Sequence, residues 1–360
     1  MTGLRPAWER VRGARWGLTA GLLAVLVLVV AAQFVPAGLA LVLFLILVAE
    51  FVNGWTDAPN AIATVVGTRT LSPRRAVAMA AVFNLLGVMS GTAVASTIAK
   101  DIIDPAAVNL TTVGGAMVGL IVWSTTAARW GIPTSESHAL VAGLAGAGLA
   151  SAGPAVLLWA GWKKVLLGLV FSTFLGFGGG MLLMTGIYRL CRKVSRDKAK
   201  RTFGWLQVAS AAFMAFSHGS NDGQKFMGAF TLALLLGGVI EGFHIDWWVI
   251  AICAIVMTLG TSIGGWRILR TLGMRLTKLE THQGFAAEVG AAGTITFASA
   301  LGIPLSTTHT ISTSIMGVGA THGVRHVSWG VTRDLVIAWV LTFPICGAIS
   351  WGVVKAMALL

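Results

Sequence analysis

The sequence predicts an all-α polytopic membrane protein: an inverted-topology repeat of two halves, each with a broken helix and a re-entrant hairpin. Three observations predict it. Hydrophobic residues fill 56% of the 360 positions and charged residues only 11%, against about 25% charged in ordinary soluble proteins. Apolar runs long enough to cross a bilayer recur along the whole chain. Two polar motifs each occur once per half, and the placement of Lys and Arg makes the halves cross the membrane in opposite senses.

Residues 1–36 form an N-terminal basic segment, with Arg5, Arg10, Arg12 and Arg15, and a first apolar span from Trp16 to Phe34. Val30-Ala31-Ala32 would suit signal-peptide cleavage, but the run is long for a signal core. Residues 37–188 are the first repeat. Its run from Leu39 to Phe51 travels inward and delivers Phe51-Val-Asn-Gly-Trp-Thr-Asp-Ala-Pro-Asn-Ala61 at membrane depth, where Gly54 and Pro59 are expected to interrupt the helix. Arg69, Arg74 and Arg75 mark a cytoplasmic exit. Ala76 to Ala99 returns outward to the loop Lys100–Asp104, and Thr112 to Ala128 runs inward to Arg129.

Gly131-Ile-Pro-Thr-Ser-Glu-Ser-His138 then opens a segment, short, proline-broken and rich in hydroxyls, that suits a re-entrant hairpin. Ala139 to Trp162 completes the hairpin and crosses outward, and Leu166 to Tyr188 crosses inward. That path leaves Lys163 and Lys164 outside, against the positive-inside pattern. Residues 189–202 are a basic cytoplasmic linker, and 203–360 the second repeat. Phe216-Ser-His-Gly-Ser-Asn-Asp222 matches the first motif, with Asp222 opposite Asp57 and Lys225 opposite Asn60; Gly302-Ile-Pro-Leu-Ser-Thr-Thr-His309 matches the hairpin. Tryptophans 16, 162, 205, 247, 248 and 266 flank spans as interfacial anchors. The lipid bilayer is therefore a partner. Nucleic acid is not, because the net charge of +13 is dispersed among short loops. Cys191, Cys253 and Cys346 lack metal-ligand spacing, so neither a structural metal nor a disulfide framework is expected, and no cofactor is implied.

The hairpin segments suit a tetrahedral oxyanion. Glycine and proline precede a helix start whose first amides lack internal partners, and Thr134, Ser135, Ser137, Ser306, Thr307 and Thr308 add uncharged donors. The competing role for these hydroxyls is capping the hairpin helices. Asp57 and Asp222 would repel an anion unless each holds a cation or a proton, so anion entry requires co-entry of positive charge. Asn60 is a neutral ligand beside Asp57. Lys225 either contacts the anion or replaces a cation site by a fixed charge. His138 and His309 are candidates for proton coupling, with hydrogen bonding inside the hairpin as the favoured role. Glu50 and Glu288 lie in or beside apolar runs, as does Glu136, which has no acidic counterpart at Thr307 and is set apart from the shared mechanism. Asn84, Gly87 and Gly91 fit helix packing.

With both motifs duplicated in this order, the chain resembles the inorganic phosphate transporter (PiT) family, in particular its compact bacterial members. The resemblance rests on Gly54-Trp-Thr-Asp-Ala-Pro-Asn-Ala61, on Gly219-Ser-Asn-Asp-Gly-Gln-Lys225 and on the two hairpins, and runs from about Leu41 to the C-terminus. It implies cation-coupled uptake of inorganic phosphate, in some members as a metal–phosphate complex, by a homodimer in the cytoplasmic membrane. Carried over by motif, Asp57, Asn60, Asp222, Ser135, Ser137, Ser306 and Thr307 form the site. Asn221 keeps the family residue that Thr56 replaces in the first copy, and Gln224-Lys225 replaces the usual Asn-Ala of the second. The lysine favours protons over sodium as coupling ion; if sodium is used, Asp57 and Asp222 are its ligands. Sulfate or another oxyanion is the alternative cargo. A channel and an intramembrane enzyme with an Asp57–Asp222 dyad are the rivals of other classes, and an enzyme leaves the duplicated hairpins unexplained.

Overall fold

The computed structural model describes residues 35–359, all helices and connecting turns apart from one isolated β-bridge. The basic segment and apolar span expected over residues 1–34 lie outside the described residues. The first half contains α1 (Ala37–Gly67), α2 (Pro73–Val88), α3 (Ala93–Lys100), α4 (Leu110–Trp130), α5 (Glu136–Ala152) and α6 (Trp159–Leu190). The second repeats that order as α7 (Arg196–Leu236), α8 (Trp247–Ile263), α9 (Trp266–Arg275), α10 (Thr281–Ala300), α11 (Thr307–Ala320) and α12 (Trp329–Met357). By length and composition α1, α4, α6 and α12 can each cross a membrane, and the bent pairs α2–α3 and α8–α9 add two further spans. The helix α7 is 41 residues long, about 60 Å, and starts inside the basic stretch expected as a linker.

Packing establishes that the halves run in opposite directions. One apolar cluster joins Leu39–Ala49 of α1 to Phe226–Leu234 of α7, together with residues of α3, α4, α5 and α8. A second joins Ala61–Val66 of α1 to Ala211–Ala215 of α7, with residues of α2, α10 and α11. The first half of α1 thus shares a cluster with the second half of α7. Between the clusters lie the polar stretches 53–60 and 217–225, held away from both ends of the bundle. This is the depth at which an inverted repeat places its site.

Each half does contain a broken helix, but the break is not where the glycine and proline of the aspartate motif suggest. The helix α1 runs without interruption through Gly54 and Pro59, and α7 through Gly219. The bends fall instead between α2 and α3, at 70°, and between α8 and α9, at 61°, where Gly264 takes φ +68°. Gly54 serves close approach: a Cβ there would sit 2.4 Å from the Met257 carbonyl oxygen of α8, and one on Gly260 would sit 2.2 Å from the Phe51 carbonyl. The other half repeats the device. A Cβ on Gly219 would meet the Asn84 carbonyl of α2 at 2.3 Å, and one on Gly87 the Phe216 carbonyl at 2.0 Å. Pro59 is tolerated inside α1 because neighbouring helices cover the backbone it leaves unpaired; Gly265 packs against Trp55 and Pro59.

The hairpin boundaries also differ from expectation. Ala139 to Trp162 is not one crossing, since α5 stops at Ala152 and the chain turns through Gly153, φ +76°, into Pro154. A loop pairing locates one of the two lysines. Lys164 Nζ bonds Asp101 at 2.8 Å and Thr97 Oγ1 at 3.0 Å, which puts it on the face of the Lys100–Asp104 loop. On the opposite face the Arg267 guanidinium donates to the Arg129 carbonyl, and Thr271 Oγ1 donates to the Gly131 carbonyl at 3.0 Å.

The backbone approach at Gly54 yields a stability prediction. Gly54→Val forces α1 away from α8 and costs about 1–3 kcal/mol of overpacking, read as a lower melting temperature of the detergent-solubilised protein. Gly38→Ala, with no atom of the described residues within 4 Å of the added carbon, leaves that temperature unchanged.

Candidate functional site

The two hairpin segments are built alike. Gly131 and Gly302 take φ +73° and +66°, values that favour glycine, and turn the chain back after α4 and α10. Ser135 and Ser306 then cap α5 and α11, their hydroxyls accepting from the amides of His138 at 3.2 Å and His309 at 3.1 Å. For this pair the capping role holds, and their side chains are turned to their own helices. Because the segments start from opposite faces, the helix starts converge. Ser137 Oγ of α5 donates to the Leu305 carbonyl, just before α11, at 2.7 Å.

Lys225 of α7 joins these pieces. Its buried ammonium donates to Asp222 Oδ1 at 2.5 Å, to the Leu305 carbonyl at 2.9 Å and to Ser137 Oγ. Its three donors therefore find three acceptors, on its own helix and on both hairpins. The other oxygen of Asp222 accepts from Thr307 Oγ1 at 3.1 Å and lies 3.3 Å from Nε2 of His218, whose Nδ1 is 3.0 Å from Asn84 Oδ1. On α1, Asp57 accepts from Thr308 Oγ1 at 3.3 Å. Asn60 donates to Thr308 at 2.9 Å and to Thr307 at 3.4 Å. Asp57, Asn60, Ser137, Asp222, Lys225, Thr307 and Thr308 are thus one buried network in which α1 and α7 meet the hairpins.

Other expected residues are placed differently. Thr134 is buried beside the network without joining its hydrogen bonds. Asn221 turns to α10, donating to Ser299 Oγ at 2.8 Å. Hydrogen bonding inside the hairpins, favoured for the two histidines, is not made by their rings. His138 meets His309 edge to face at 4.6 Å between centroids, and His309 stacks on Trp339 at 3.7 Å. Their aromatic surroundings leave Nδ1 of His138 and both ring nitrogens of His309 unpartnered among the described residues.

Sequence reasoning undervalued two groups. Glu136, set apart for want of a counterpart, accepts from Thr56 Oγ1 at 2.9 Å and Ser124 Oγ at 2.5 Å, and is a third buried carboxylate at the hairpin start. Its partners come from α1 and α4, so comparing the two hairpins could not reveal it. His218 was visible in the second motif itself, where it stands in place of Asn53. Farther along, Glu288 accepts from Thr64, Ser210 and Gln207. Asp57, His218 and Asp222 each offer an atom within 4.8 Å of the others, a buried set whose chemistry fits a cation.

The model of the Phosphate transporter family matches residues 53–350 of the chain. A Bacillus subtilis protein named "Probable low-affinity inorganic phosphate transporter" is 39% identical over 310 residues, covering 84% of this chain and 93% of that relative. A Rhizobium meliloti protein of the same name is 42% identical over 301 residues, covering 83% and 90%. Among solved structures, one described as "The sodium-dependent phosphate transporter" is similar with a TM-score of 0.82 at 25% identity, covering 90% of this chain and 100% of that one.

The Lys225–Asp222 pair sets a test of the site's energetics. Lys225→Met strands a buried carboxylate and is expected to destabilise the fold by about 3–5 kcal/mol. Asp222→Asn combined with Lys225→Met recovers most of the loss, because no uncompensated charge remains. Melting temperatures of the two variants against the parent protein check both steps.

Proposed function

We propose that this chain, which belongs to the phosphate transporter family, is a secondary active symporter carrying inorganic phosphate into the cell with a coupled cation. It is a multi-pass membrane protein and a transporter, not an enzyme. The cytoplasmic membrane is its proposed location and a homodimer its proposed assembly, with a neutral metal–phosphate complex as a second form of cargo.

One observation carries the coupling. Thr307 and Thr308, uncharged donors at the start of α11, give their hydroxyls to Asp222 and Asp57 at 3.1 and 3.3 Å. An oxyanion arriving alone meets donors already engaged and carboxylates of its own sign. At 4 Å and an effective dielectric constant of 20, each like-charge pair costs about 4 kcal/mol. A positive charge on Asp57 removes that repulsion and frees Thr308 for the anion. Cation binding therefore prepares the phosphate site.

The two aspartates are unequal in this respect. Asp222 already has the Lys225 ammonium at 2.5 Å, a fixed charge where the first copy has Asn60. The mobile charge is then needed at Asp57, and we assign it as a proton. Sodium is the second reading, supported by the cation-sized set of Asp57, His218 and Asp222 and by the description of the similar structure as sodium-dependent. Carboxylates at Asp222 and Glu136 favour phosphate over sulfate, because phosphate retains a proton to donate at neutral pH.

Uptake of labelled phosphate into proteoliposomes, with pH and sodium gradients imposed separately, tests this reading. The expected result is uptake driven by the inward proton gradient. Asp57→Asn should cut it at least about tenfold, equivalent to 1.4 kcal/mol, with the variant still folded. Undiminished uptake by Asp57→Asn defeats the coupling argument, and uptake that follows only the sodium gradient replaces the proton by sodium. Equal competition by sulfate would reassign the cargo.

A further inference from the structure

The polar face of α1 extends beyond the site. Glu50, Asn53, Asp57, Asn60 and Thr64 recur at alternating spacings of three and four, which aligns them on one side of the helix. Asp57, Asn60 and Thr64 find partners on other helices, the last at Glu288. Glu50 and Asn53 do not. Both are 0% exposed, and all four polar side-chain atoms, Oε1 and Oε2 of Glu50 and Oδ1 and Nδ2 of Asn53, lack a hydrogen-bond partner among the described residues. The Cys253 thiol of α8 lies beside Glu50, but a thiol is too weak a donor to solvate a carboxylate.

Two adjacent unpartnered polar groups in an apolar cluster are a poor choice for packing alone. Each unsatisfied group costs about 1–3 kcal/mol, and more if charged; an aliphatic residue of similar size avoids the loss. The position of the pair indicates what offsets it. Glu50 is seven residues before Asp57, about 10 Å along the helix axis, toward the face of the Lys164–Asp101 ion pair. By the distribution of basic loops that face is external. A cation moving inward along α1 therefore reaches Glu50 and Asn53 before Asp57. Carboxylate and amide oxygens suit a hard cation, and a single carboxylate matches one positive charge.

We propose that Glu50 and Asn53 form a staging site for a hard monovalent cation, one step outside Asp57 on the coupling path. The site rests on the symport reading and deepens it: the coupling cation is gathered at Glu50 and passed along α1 to Asp57. Holding the cation is the function of Glu50; contact with phosphate is not. Its loss changes the cation requirement and leaves phosphate recognition alone.

The test is phosphate uptake by proteoliposomes as a function of external proton concentration without sodium, and of external sodium at fixed pH. The arm to which the parent protein responds identifies the cation. In that arm Glu50→Gln should raise the half-saturating cation concentration about tenfold, or 1.4 kcal/mol, and Asn53→Ser should shift it in the same direction by less. At saturating cation, maximal uptake and the KM for phosphate should stay within about twofold of the parent. A second readout separates site from scaffold. Glu50→Leu should melt at a higher temperature than the parent in cation-poor buffer, and the added cation should stabilise this variant, which keeps Asp57, less than it stabilises the parent. Unshifted cation dependence in Glu50→Gln, a changed phosphate KM, or a less stable Glu50→Leu overturns the staging site while leaving the symport reading intact. Absence of any cation dependence in the parent overturns both.

Discussion

The ammonium of Lys225 is the contact on which the rest of the site depends. It is a buried charge whose three donors go to Asp222, Ser137 and the Leu305 carbonyl, and so to α7, to the start of α5 and to the approach to α11. A lone charge at this depth would be intolerable. Satisfied on all sides, it pins the two hairpin starts to each other and to α7. The pin also sets the electrostatics. It matches Asp222 and leaves Asp57, whose one side-chain partner among the described residues is the Thr308 hydroxyl, as the carboxylate in need of a positive charge.

That pin can form only because the helices around it approach closely. Gly54 and Gly260 bring α1 and α8 to backbone contact, and Gly219 and Gly87 do the same for α7 and α2. In a membrane, where lipid and side chain are equally apolar, such contact supplies the packing attraction that the hydrophobic effect supplies in water. The continuity of α1 and α7 has a further consequence. With no unwound turn at the aspartates, the motif offers side chains rather than free main-chain carbonyls. Backbone released from helical bonding is found in the extended segments before α5 and α11.

Much of this was legible from residues alone. The duplicated aspartates, the duplicated Gly-Ile-Pro hairpins and the placement of basic loops were enough to indicate an inverted repeat with a central polar layer. What was not legible has a common physical cause: one chain's sequence does not say which helix faces which. Gly54 looks like a helix breaker until Met257 is found against it. Ser135 and Ser137 look equivalent as donors, yet one caps its own helix and the other reaches Leu305. Glu136 looks unmatched because Thr56 and Ser124, which hold it, lie on α1 and α4, away from the hairpin segments being compared.

The imbalance between the halves is what the proposed coupling draws on. A symmetric pair of aspartates, each needing its own cation, would bind two mobile charges and give the anion no preferred partner. Here one cation is covalently part of the chain as Lys225. Asp222 is consequently spoken for in every state in which α7 and the hairpins stay joined, and Thr307 can remain on it. Thr308 and Asp57 form the variable half. Their hydrogen bond, at 3.3 Å the longer of the two threonine–aspartate contacts, is the one a proton or cation on Asp57 would weaken. The donor then passes to the anion without any helix having to break. Under the proposed symport, coupling would follow from competition for a single hydroxyl, and the fixed lysine would confine that competition to one side.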